Sequence, residues 1–370
     1  METTTLPERL YSLDALRGFD MFWIIGGEEL FKNLAEITGS PFWETISGQL
    51  SHPAWHGFAA YDLIFPLFLF LAGVATPYSI GKQLQRGTDR KQLLFKVVKR
   101  GLILVILGII YNNGLELKPL TEIRFGSVLG RIGLAYMFAN IIYLYSKQRT
   151  QVVWFVGILI GYWLALTFGS APGFPAGDMS MEGNLSSYID RLLMPGKLYL
   201  GIHDPEGLFS TVPAISTALL GIFTGNLLRG TSPDGKMKAV YKMIAAGVVC
   251  IILAQIWNLF FPINKNLWTS SFVLQCGGIS LLLMALFYYI IDILGHRQWA
   301  FFFKVIGMNS ILIYMSGRFI DWEYSTEAFF GWLGQLVGNP WNALALAFAL
   351  IAVKWVFLYV LYKQKLFLKV

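Results

Sequence analysis

Two histidines and an aspartate mark the start of a strongly apolar segment. In the stretch LSHPAWHGFAAYDLIFPLFLFLAG, His52 and His56 precede the apolar run and Asp62 lies just inside it. Imidazole changes charge near neutral pH, so His52 suits the role of a general base or a nucleophile. A carboxylate such as Asp62 or Glu28 would hold the ring in one tautomer. The stretch therefore predicts either a catalytic histidine or a hydrogen-bonded structural histidine at a membrane surface.

The spacing of the two histidines also raises the question of a metal. His52 and His56 are four residues apart, a spacing that can bind zinc when both lie on a helix. Pro53 and Gly57 argue against a regular helix here, and the glutamate of an HExxH motif is missing. The sequence also lacks G-x-S-x-G, Walker A, G-x-G-x-x-G and paired-cysteine motifs, which disfavours hydrolases, ATPases and dehydrogenases. We expect a site without a metal.

The elements that must position these residues are predicted to be membrane-spanning helices. Of the 370 residues, 55% are hydrophobic and 14% are charged, whereas a soluble domain has about 25% charged residues. The mean hydropathy is +0.56. Apolar blocks of about 20 residues fit helices that cross a bilayer and satisfy their own backbone hydrogen bonds. We therefore expect an all-α polytopic membrane protein with a single domain over residues 1–370. The ten predicted spans are 17–33, 58–80, 101–113, 126–145, 151–168, 208–228, 240–260, 270–292, 301–320 and 341–362.

The distribution of charge orients these helices. Lys and Arg cluster in alternate loops such as 81–100, while the loops between them, including 169–207, hold few. By the positive-inside rule both termini are cytoplasmic, 169–207 is a large extracytoplasmic loop, and the protein resides in the inner (cytoplasmic) membrane. The same clustering accounts for the net charge of +7 without a nucleic-acid partner. The polar start METTTLPERLYS has no apolar core, so we expect no cleaved signal peptide.

Several ionisable residues lie inside the predicted spans, where they are costly unless they face a bundle interior or a wet cavity. Asp62 and Arg131 are the deepest, and each is either part of a structural ion pair or a site residue. Asp292, Arg318 and Lys354 lie near span ends, where snorkelling of the side chain explains them.

Small residues in the spans indicate how the helices pack. G-x-x-x-G pairs at Gly157–Gly161 and Gly221–Gly225 predict close approach of neighbouring helices. The two cysteines, Cys250 and Cys276, lie in apolar blocks without a C-x-x-C partner, so we interpret them as packing residues rather than a disulfide.

Six stretches, in order along nearly the whole chain, carry a family signature. They are RLYSLDALRGFD at 9–20, LSHPAWHGFAAYDLIFPLFLFLAGV at 50–74, VLGRIGLAYM at 128–137, HDPEGLFSTVPAISTALLGIFTG at 203–225, FPINKNLWTSSFVL at 261–274 and VIGMNSILIYM at 305–315. Together they resemble the heparan-α-glucosaminide N-acetyltransferase-like family of transmembrane acetyltransferases. The sequence looks like a bacterial member of that family.

The resemblance implies an activity and a centre for it. The active-site histidine of the family lies in a His-x-x-Trp-x-Gly motif before an Asp-Leu-x-Phe-Pro helix. Here that residue is His52, with Trp55, Gly57, Asp62 and Pro66 at the matching positions. The family moves acetyl from cytoplasmic acetyl-CoA, a co-substrate, to the amine of a terminal glucosamine across the membrane. It also suggests a homodimer.

One position departs from the family pattern. Counting from Arg17 and Gly18, Glu28 stands where the lysosomal enzyme has an asparagine implicated in its site. A carboxylate can act as a base where an amide can only orient a partner. The resemblance and this departure together make His52, Glu28 and Asp62 the candidate catalytic residues.

Two arginines are candidates for binding the anionic acetyl-CoA. Arg17 lies at the cytoplasmic end of the first span, and Arg131 lies within the fourth. The planar guanidinium suits phosphate or carbonyl oxygens. Each arginine is equally well explained as a helix anchor.

Candidates for binding an amino sugar or glycan acceptor lie on the outer side. Asp204 and Glu206, in HDPEGLFST, can hydrogen-bond a sugar. Alternatively, Asp204 caps a following helix that begins at Pro205. Trp55 can stack on a sugar face or belong to an interfacial aromatic belt in contact with membrane lipid.

The residues leave two mechanisms and three functions open. His52 either forms an acetyl-imidazole that the acceptor resolves, or deprotonates the acceptor while both substrates are bound. An acetyl-CoA-dependent N-acetyltransferase is the favoured function. A sugar transporter or flippase without acyl chemistry, and an O-acetyltransferase of a cell-envelope glycan, are the alternatives.

Overall fold

The computed structural model describes residues 10–368, and throughout this range the chain is helical and has no β-strand. Residues 1–9, which include most of the polar start considered above for a signal peptide, lie outside the described residues. The helices are α1 Tyr11–Phe22, α2 Glu28–Thr38, α3 Pro41–Gln49, α4 Ile64–Gln85, α5 Arg90–Asn113, α6 Val128–Tyr145, α7 Gln148–Phe168, α8 Leu185–Leu193, α9 Thr211–Arg229, α10 Lys236–Asn258, α11 Ser270–Tyr288, α12 Ala300–Met308, α13 Ser310–Phe319, α14 Trp322–Val337 and α15 Asn342–Lys363.

Each of the ten predicted spans coincides with helical structure. Within residues 10–368, seven helices are long and apolar enough to cross a membrane, and the bent pair α12 and α13 makes an eighth if it is counted as one span. The two remaining predicted spans are the α1–α2 segment, which has a break at Gly26 (φ 131°), and α5, whose first half is basic. A multi-pass helical fold is therefore confirmed, while the count of ten stays a prediction.

Three helices lie where the sequence predicted loops. They are α3, α8 and α14, and α8 lies inside the segment 169–207. The longest, α14, packs along α15 and exposes Phe329 and Trp332 on its other side. Their apolar residues are too few or too mixed with polar ones to predict a span, and for this reason these helices escape a search for uniformly apolar blocks.

The centre of the bundle is the pair α4 and α9, which approach closely at glycines. A Cβ atom placed on Gly221 would lie 2.0 Å from the carbonyl oxygen of Phe70, and Gly225 similarly abuts Val74. The predicted close packing at Gly221–Gly225 is thus confirmed. The same prediction for Gly157–Gly161 is wrong within this chain, because nothing lies within 4 Å of a Cβ atom at either position.

The bundle has two chemically different ends. The histidine end is formed by the loops at 50–59, 203–210 and 261–269, and the basic end by the side chains of Arg17, Lys82, Arg100 and Arg229. Helix α4 begins at the histidine end and finishes at the basic end, so it connects them. The segment 169–207 is fastened at the histidine end, because the Trp55 indole donates to the Met179 carbonyl.

Candidate functional site

His52 and Asp62 form a close pair at the histidine end. The His52 Nδ1 atom lies 2.6 Å from the Asp62 Oδ1 atom. Asp62 belongs to a short 3₁₀ turn, Ala60–Leu63, which leads into α4, and its Oδ2 atom accepts the Ala59 backbone N–H at 2.9 Å. The carboxylate is therefore held by its own backbone before it meets the imidazole. Of the two carboxylates considered from the sequence, Asp62 and Glu28, it is Asp62 that contacts the imidazole.

This geometry decides which ring nitrogen is reactive. An Nδ1–H that donates to the carboxylate leaves the lone pair on Nε2. The Asp62 side chain has no exposed surface, whereas the His52 side chain is 45% exposed. The imidazole thus presents its second nitrogen to incoming molecules while the carboxylate behind it stays dry.

Lys265 completes this centre and was not among the residues predicted from the sequence. Its Nζ atom lies 2.8 Å from His52 Nε2 and 3.7 Å from Asp62 Oδ1. Burial lowers the pKa of the Lys265 ammonium, while the charges of Asp62 and Glu206 raise it in part. The lysine therefore contacts the very nitrogen that a base or a nucleophile needs.

The loop that carries Lys265 is held rigidly. The Asn264 side chain accepts the Leu267 N–H at 2.9 Å, and the Asn264 backbone N–H donates to the Thr269 hydroxyl at 3.1 Å. The Gly57 N–H donates to the Ile263 carbonyl at 2.9 Å, which joins this loop to the one bearing His52. A single lysine between two asparagines in an otherwise basic-poor loop was the available signal in FPINKNLWTSSFVL.

A cavity opens in front of these residues, here called the central cavity. Its space between atoms, including the mouth, is about 820 Å³. Most of its walls are apolar, with Phe65, Phe68 and Ile311 among the lining residues. The polar lining residues are His52, Tyr61, Glu206, Lys265 and Tyr314. An apolar cavity with few convergent polar groups is the usual form of a small-molecule site.

Glu28 does not contact His52 directly but is linked to it by Tyr61. Its carboxylate lies beside the Tyr61 hydroxyl and pairs with Lys32 at 3.3 Å. The Tyr61 ring in turn lies against the His52 ring, with centroids 5.1 Å apart. The structure therefore groups Glu28 with the His52 centre, one residue removed from the imidazole.

The two predicted acidic sugar ligands have different environments. Asp204 is fully buried and accepts two hydrogen bonds from Arg124, at 2.7 Å and 2.9 Å. Glu206 accepts from the same guanidinium at 2.5 Å but also lines the central cavity. The interpretation of Asp204 as a helix cap is wrong, because the next helix, α9, begins only at Thr211. Arg124, which organises both carboxylates, was missed by the sequence analysis.

Arg131 lies in the wall of the histidine end rather than on a cavity surface. Its side chain is almost fully buried and donates to the Ser210 hydroxyl. The guanidinium lies 4.8 Å from the centre of the Trp268 ring, which itself packs edge-on against Phe65. Arg131 thus braces an aromatic wall and is not grouped with Arg17.

Trp55 is held between the histidine loop and the segment 169–207. Besides its bond to Met179, its ring lies edge-on to the His203 ring at 5.1 Å. His203 is fully buried and its Nδ1 atom pairs with the Ser187 hydroxyl at 2.8 Å. Burial lowers the pKa of His203 to about 4, so this histidine is neutral at ordinary pH. The His203 ring therefore packs against Trp55 as a neutral, buried residue of the segment 169–207.

Asp190 is a second buried ionisable residue in this segment, and its pKa is raised rather than lowered. Asp190 accepts the backbone N–H groups of Leu208 and Phe209, at 2.8 Å and 3.3 Å. Burial raises the pKa of Asp190 to about 6. It therefore ties α8 to the residues that lead into α9 and carries its proton at mildly acidic pH.

Two further cavities lie between the central cavity and the basic end. The arginine cavity is lined by Arg17, Arg100 and Arg229 together with Lys82 and Asp14. The connecting cavity shares Arg17 and Arg100 with the arginine cavity. It also shares Phe68 and Ile311 with the central cavity. The three cavities therefore adjoin one another along the bundle, from the guanidinium groups to the imidazole.

The described residues contain no cluster of three or more His, Cys, Asp or Glu side chains that could hold a metal ion. Within residues 10–368 the two histidines first considered for zinc have other partners. His52 pairs with Asp62, and His56 lies 3.3 Å from the Asn264 amide.

The apolar helices and the His52–Asp62 centre define a multi-pass membrane protein with a histidine–carboxylate site. The family model described as heparan-alpha-glucosaminide N-acetyltransferase, catalytic, matches residues 9–260. The chain belongs to this family of transmembrane acetyltransferases, as its motifs predicted.

Two relatives extend the similarity beyond the matched region. The chain is 28% identical to heparan-alpha-glucosaminide N-acetyltransferase of Homo sapiens over 99% of its own length and 61% of the relative's. It is 29% identical to the Mus musculus protein of the same name, over 98% and 60%. The chain therefore spans about three fifths of the length of these curated relatives.

Proposed function

We propose that the protein transfers acetyl from acetyl-CoA to the amine of a glucosamine-type sugar, with His52 at the point of transfer. The donor enters from the basic end, which faces the cytoplasm, and the acceptor enters from the histidine end. The observation that carries the proposal is the line of adjoining cavities between Arg17 and His52. Family membership supports the reaction class.

The donor's charge and shape suit this path. The phosphates of CoA are anionic, and guanidinium groups bind phosphate oxygens with charge-assisted hydrogen bonds. Arg17 and Arg100 line both cavities near the basic end. Asp62, in the turn that leads into α4, and Ala75, on α4, lie thirteen residues apart, about 20 Å at the helical rise of 1.5 Å per residue. That length is comparable to an extended phosphopantetheine arm, so phosphates at the basic end put the thioester near His52. Arg131 would contribute by bracing the aromatic wall.

His52 acts through Nε2, and the same nitrogen serves either mechanism. As a general base it takes a proton from the acceptor ammonium, and the free amine forms a C–N bond with the thioester carbonyl as the C–S bond breaks. As a nucleophile it first forms acetyl-imidazole and releases CoA thiolate. Asp62 stabilises the positive imidazole in both cases. Glu28 supports the centre through Tyr61.

The acceptor is expected to contact the outer walls of the central cavity. Glu206 faces this cavity and is the proposed hydrogen-bond partner for a sugar hydroxyl or amine. Asp204 acts indirectly, by holding Arg124 against Glu206. Trp55 shapes the entrance from its position between the histidine loop and the segment 169–207.

The direct test is an assay of the purified protein in detergent with acetyl-CoA and glucosamine. Acetylated sugar and free CoA in equal amounts support the proposal, and His52→Ala should lose at least about 10²-fold in rate. A transporter or flippase would yield neither product. Acetylation of a hydroxyl, located by mass spectrometry of the product, would favour the O-acetyltransferase. A burst of CoA release without acceptor would select the acetyl-imidazole route.

We also propose ten spans, cytoplasmic termini, an extracytoplasmic segment 169–207, and residence in the inner membrane as a homodimer. The chain has only two cysteines, Cys250 and Cys276. A variant lacking both, with single cysteines placed in loops, permits labelling from either side of inner-membrane vesicles. A cysteine in 81–100 should react from the cytoplasmic side and one in 169–207 from the other. The opposite pattern would overturn this topology.

A further inference from the structure

Acyl transfer needs more than a base, because it places negative charge on the carbonyl oxygen. Enzymes meet this charge with donors fixed about 3 Å from the developing oxyanion, and the effect is larger in a cavity from which water is excluded. If Nε2 of His52 contacts the acceptor amine, the thioester carbonyl must lie within a few ångströms of that nitrogen. A donor close to Nε2 is therefore required.

The backbone near His52 offers few such donors. The N–H of Gly57 bonds to Ile263, that of Ala59 to Asp62, and that of Ala60 to the Gln49 side chain. Among the described residues that line the central cavity, Lys265 is the single Lys or Arg. Its ammonium can donate three hydrogen bonds and accepts none.

Lys265 lies where it can change partners during a reaction. In the structure its Nζ atom lies 2.8 Å from His52 Nε2 and 3.1 Å from His52 Nδ1. An atom this close to both ring nitrogens lies over the ring face, so the in-plane lone pair of Nε2 stays open to an acceptor amine. The Lys265 side chain is 21% exposed and its stem is flexible, so it can turn toward a carbonyl oxygen in the cavity. Asp62, Glu206 and Arg131 are the other charged groups that act on it.

We propose that Lys265 is a catalytic residue that stabilises the oxyanion of acetyl transfer; this role rests on the proposed acetyltransferase function. Before substrates bind, its ammonium lies over the His52 ring, close to both ring nitrogens. When the acceptor arrives, its amine contacts Nε2 and the Lys265 ammonium donates to the thioester oxygen. The C–N bond forms and the C–S bond breaks with its electron pair on sulfur. One acceptor proton goes to His52, the second goes to the departing CoA thiolate, and Lys265 keeps its own protons throughout.

The first experiment compares Lys265→Met with wild type in acetylated-sugar formation. Loss of one oxyanion donor costs about 10²–10³-fold in kcat, and KM for acetyl-CoA should change little because the arginine cavity is untouched. Lys197→Met, an exposed lysine in the segment 169–207, is the matched control. Equal elution volume and melting temperature show that each variant is folded. Near-normal kcat in folded Lys265→Met overturns the proposal.

The second experiment separates oxyanion stabilisation from support of the fold. In Lys265→Ala, added ethylamine should restore formation of acetylated sugar, which is measured directly because ethylamine can itself accept acetyl. In Lys265→Arg, which cannot deprotonate in the working range, the basic limb of the kcat–pH profile should move to higher pH. Absence of both effects in folded variants refutes the role of Lys265. If wild type itself makes no acetylated sugar, the proposed function has failed instead.

Discussion

The hydrogen bond between Asp62 and His52 offers the sharpest test of the centre, through the variant Asp62→Asn. Each oxygen of the carboxylate has one close hydrogen-bond partner, the imidazole at 2.6 Å for Oδ1 and the Ala59 N–H at 2.9 Å for Oδ2, and Oδ1 also lies 3.7 Å from the Lys265 ammonium. An amide can satisfy only one of them as an acceptor. If its oxygen faces Ala59, its NH₂ group faces Nδ1 and forces the proton onto Nε2. If its oxygen faces His52, two N–H donors meet at the turn.

The expected loss of catalytic rate in Asp62→Asn follows from these two arrangements of the amide. In the first, the nitrogen that must accept a proton already carries one, so general-base catalysis worth about 10²–10⁴-fold is lost. In the second, the imidazolium loses a charge-assisted hydrogen bond worth about 1.5–3 kcal/mol, which corresponds to a loss of roughly 10–100-fold. We therefore expect Asp62→Asn to lower kcat by about 10–10⁴-fold, according to which arrangement the amide takes, with KM for acetyl-CoA nearly unchanged.

The assay is the initial rate of acetylated glucosamine formation at saturating acetyl-CoA in detergent. Glu44→Gln is the matched control, since Glu44 is an exposed carboxylate on α3, away from the imidazole. Folding is checked by gel filtration and by melting temperature. A folded Asp62→Asn protein with kcat within about threefold of wild type, well short of the expected loss, would show that the carboxylate does not orient or stabilise His52.

Three further predictions address the proposed donor site at Arg100, the close packing of α4 and α9 at Gly221, and buried His203 in the segment 169–207. Arg100→Gln should raise KM for acetyl-CoA about 10–100-fold with little change in kcat, because a charge-assisted contact to the donor is lost; Lys91→Gln, on the exposed start of α5, is the control. Gly221→Val should lower the melting temperature by forcing α4 and α9 apart, at about 1–3 kcal/mol, whereas Gly161→Val should not. Folded His203 stays neutral to about pH 4, while an unfolded histidine protonates near pH 6.5. His203 therefore costs stability as pH falls through this window, up to about 3 kcal/mol. As the pH falls from about 6.5 to 4, the melting temperature of His203→Gln should rise relative to that of wild type. A difference in melting temperature that stays constant over this range would contradict the prediction.

The sequence predicted the parts of the structure that depend on local chemistry. Helices were predictable because a lipid environment leaves the backbone few alternatives. A carboxylate beside His52 was predictable because Asp62 follows it closely in the chain, whereas the choice of Asp62 over Glu28 needed the structure. The bend between α12 and α13 was not, because it depends on Asn309, whose side chain bonds the backbone of Leu366 and Leu368.

The missed site residues share one physical cause. Lys265 is 213 positions from His52, and Arg124 is 80 positions from Asp204. Such contacts arise from the way whole helices pack and from the loops they bring together, which no local pattern reports. Arg131 illustrates the converse, since a buried arginine in a span indicates importance but not which cavity it serves. Its partners, Ser210 and Trp268, come from two other loops.

The bend in the α12–α13 pair forms part of the wall of the connecting cavity. The two helices turn by 66°, and residues 307–311 at the turn line the connecting cavity. A straight helix would leave no such gap beside α4. The shared walls at Phe68 and Ile311 are apolar, so ions meet a far higher desolvation barrier there than the uncharged pantetheine arm does. Under the proposed function, the basic end then captures the charged half of the donor and only the thioester half advances to His52. Transfer of acetyl across the membrane thus needs no transport of CoA.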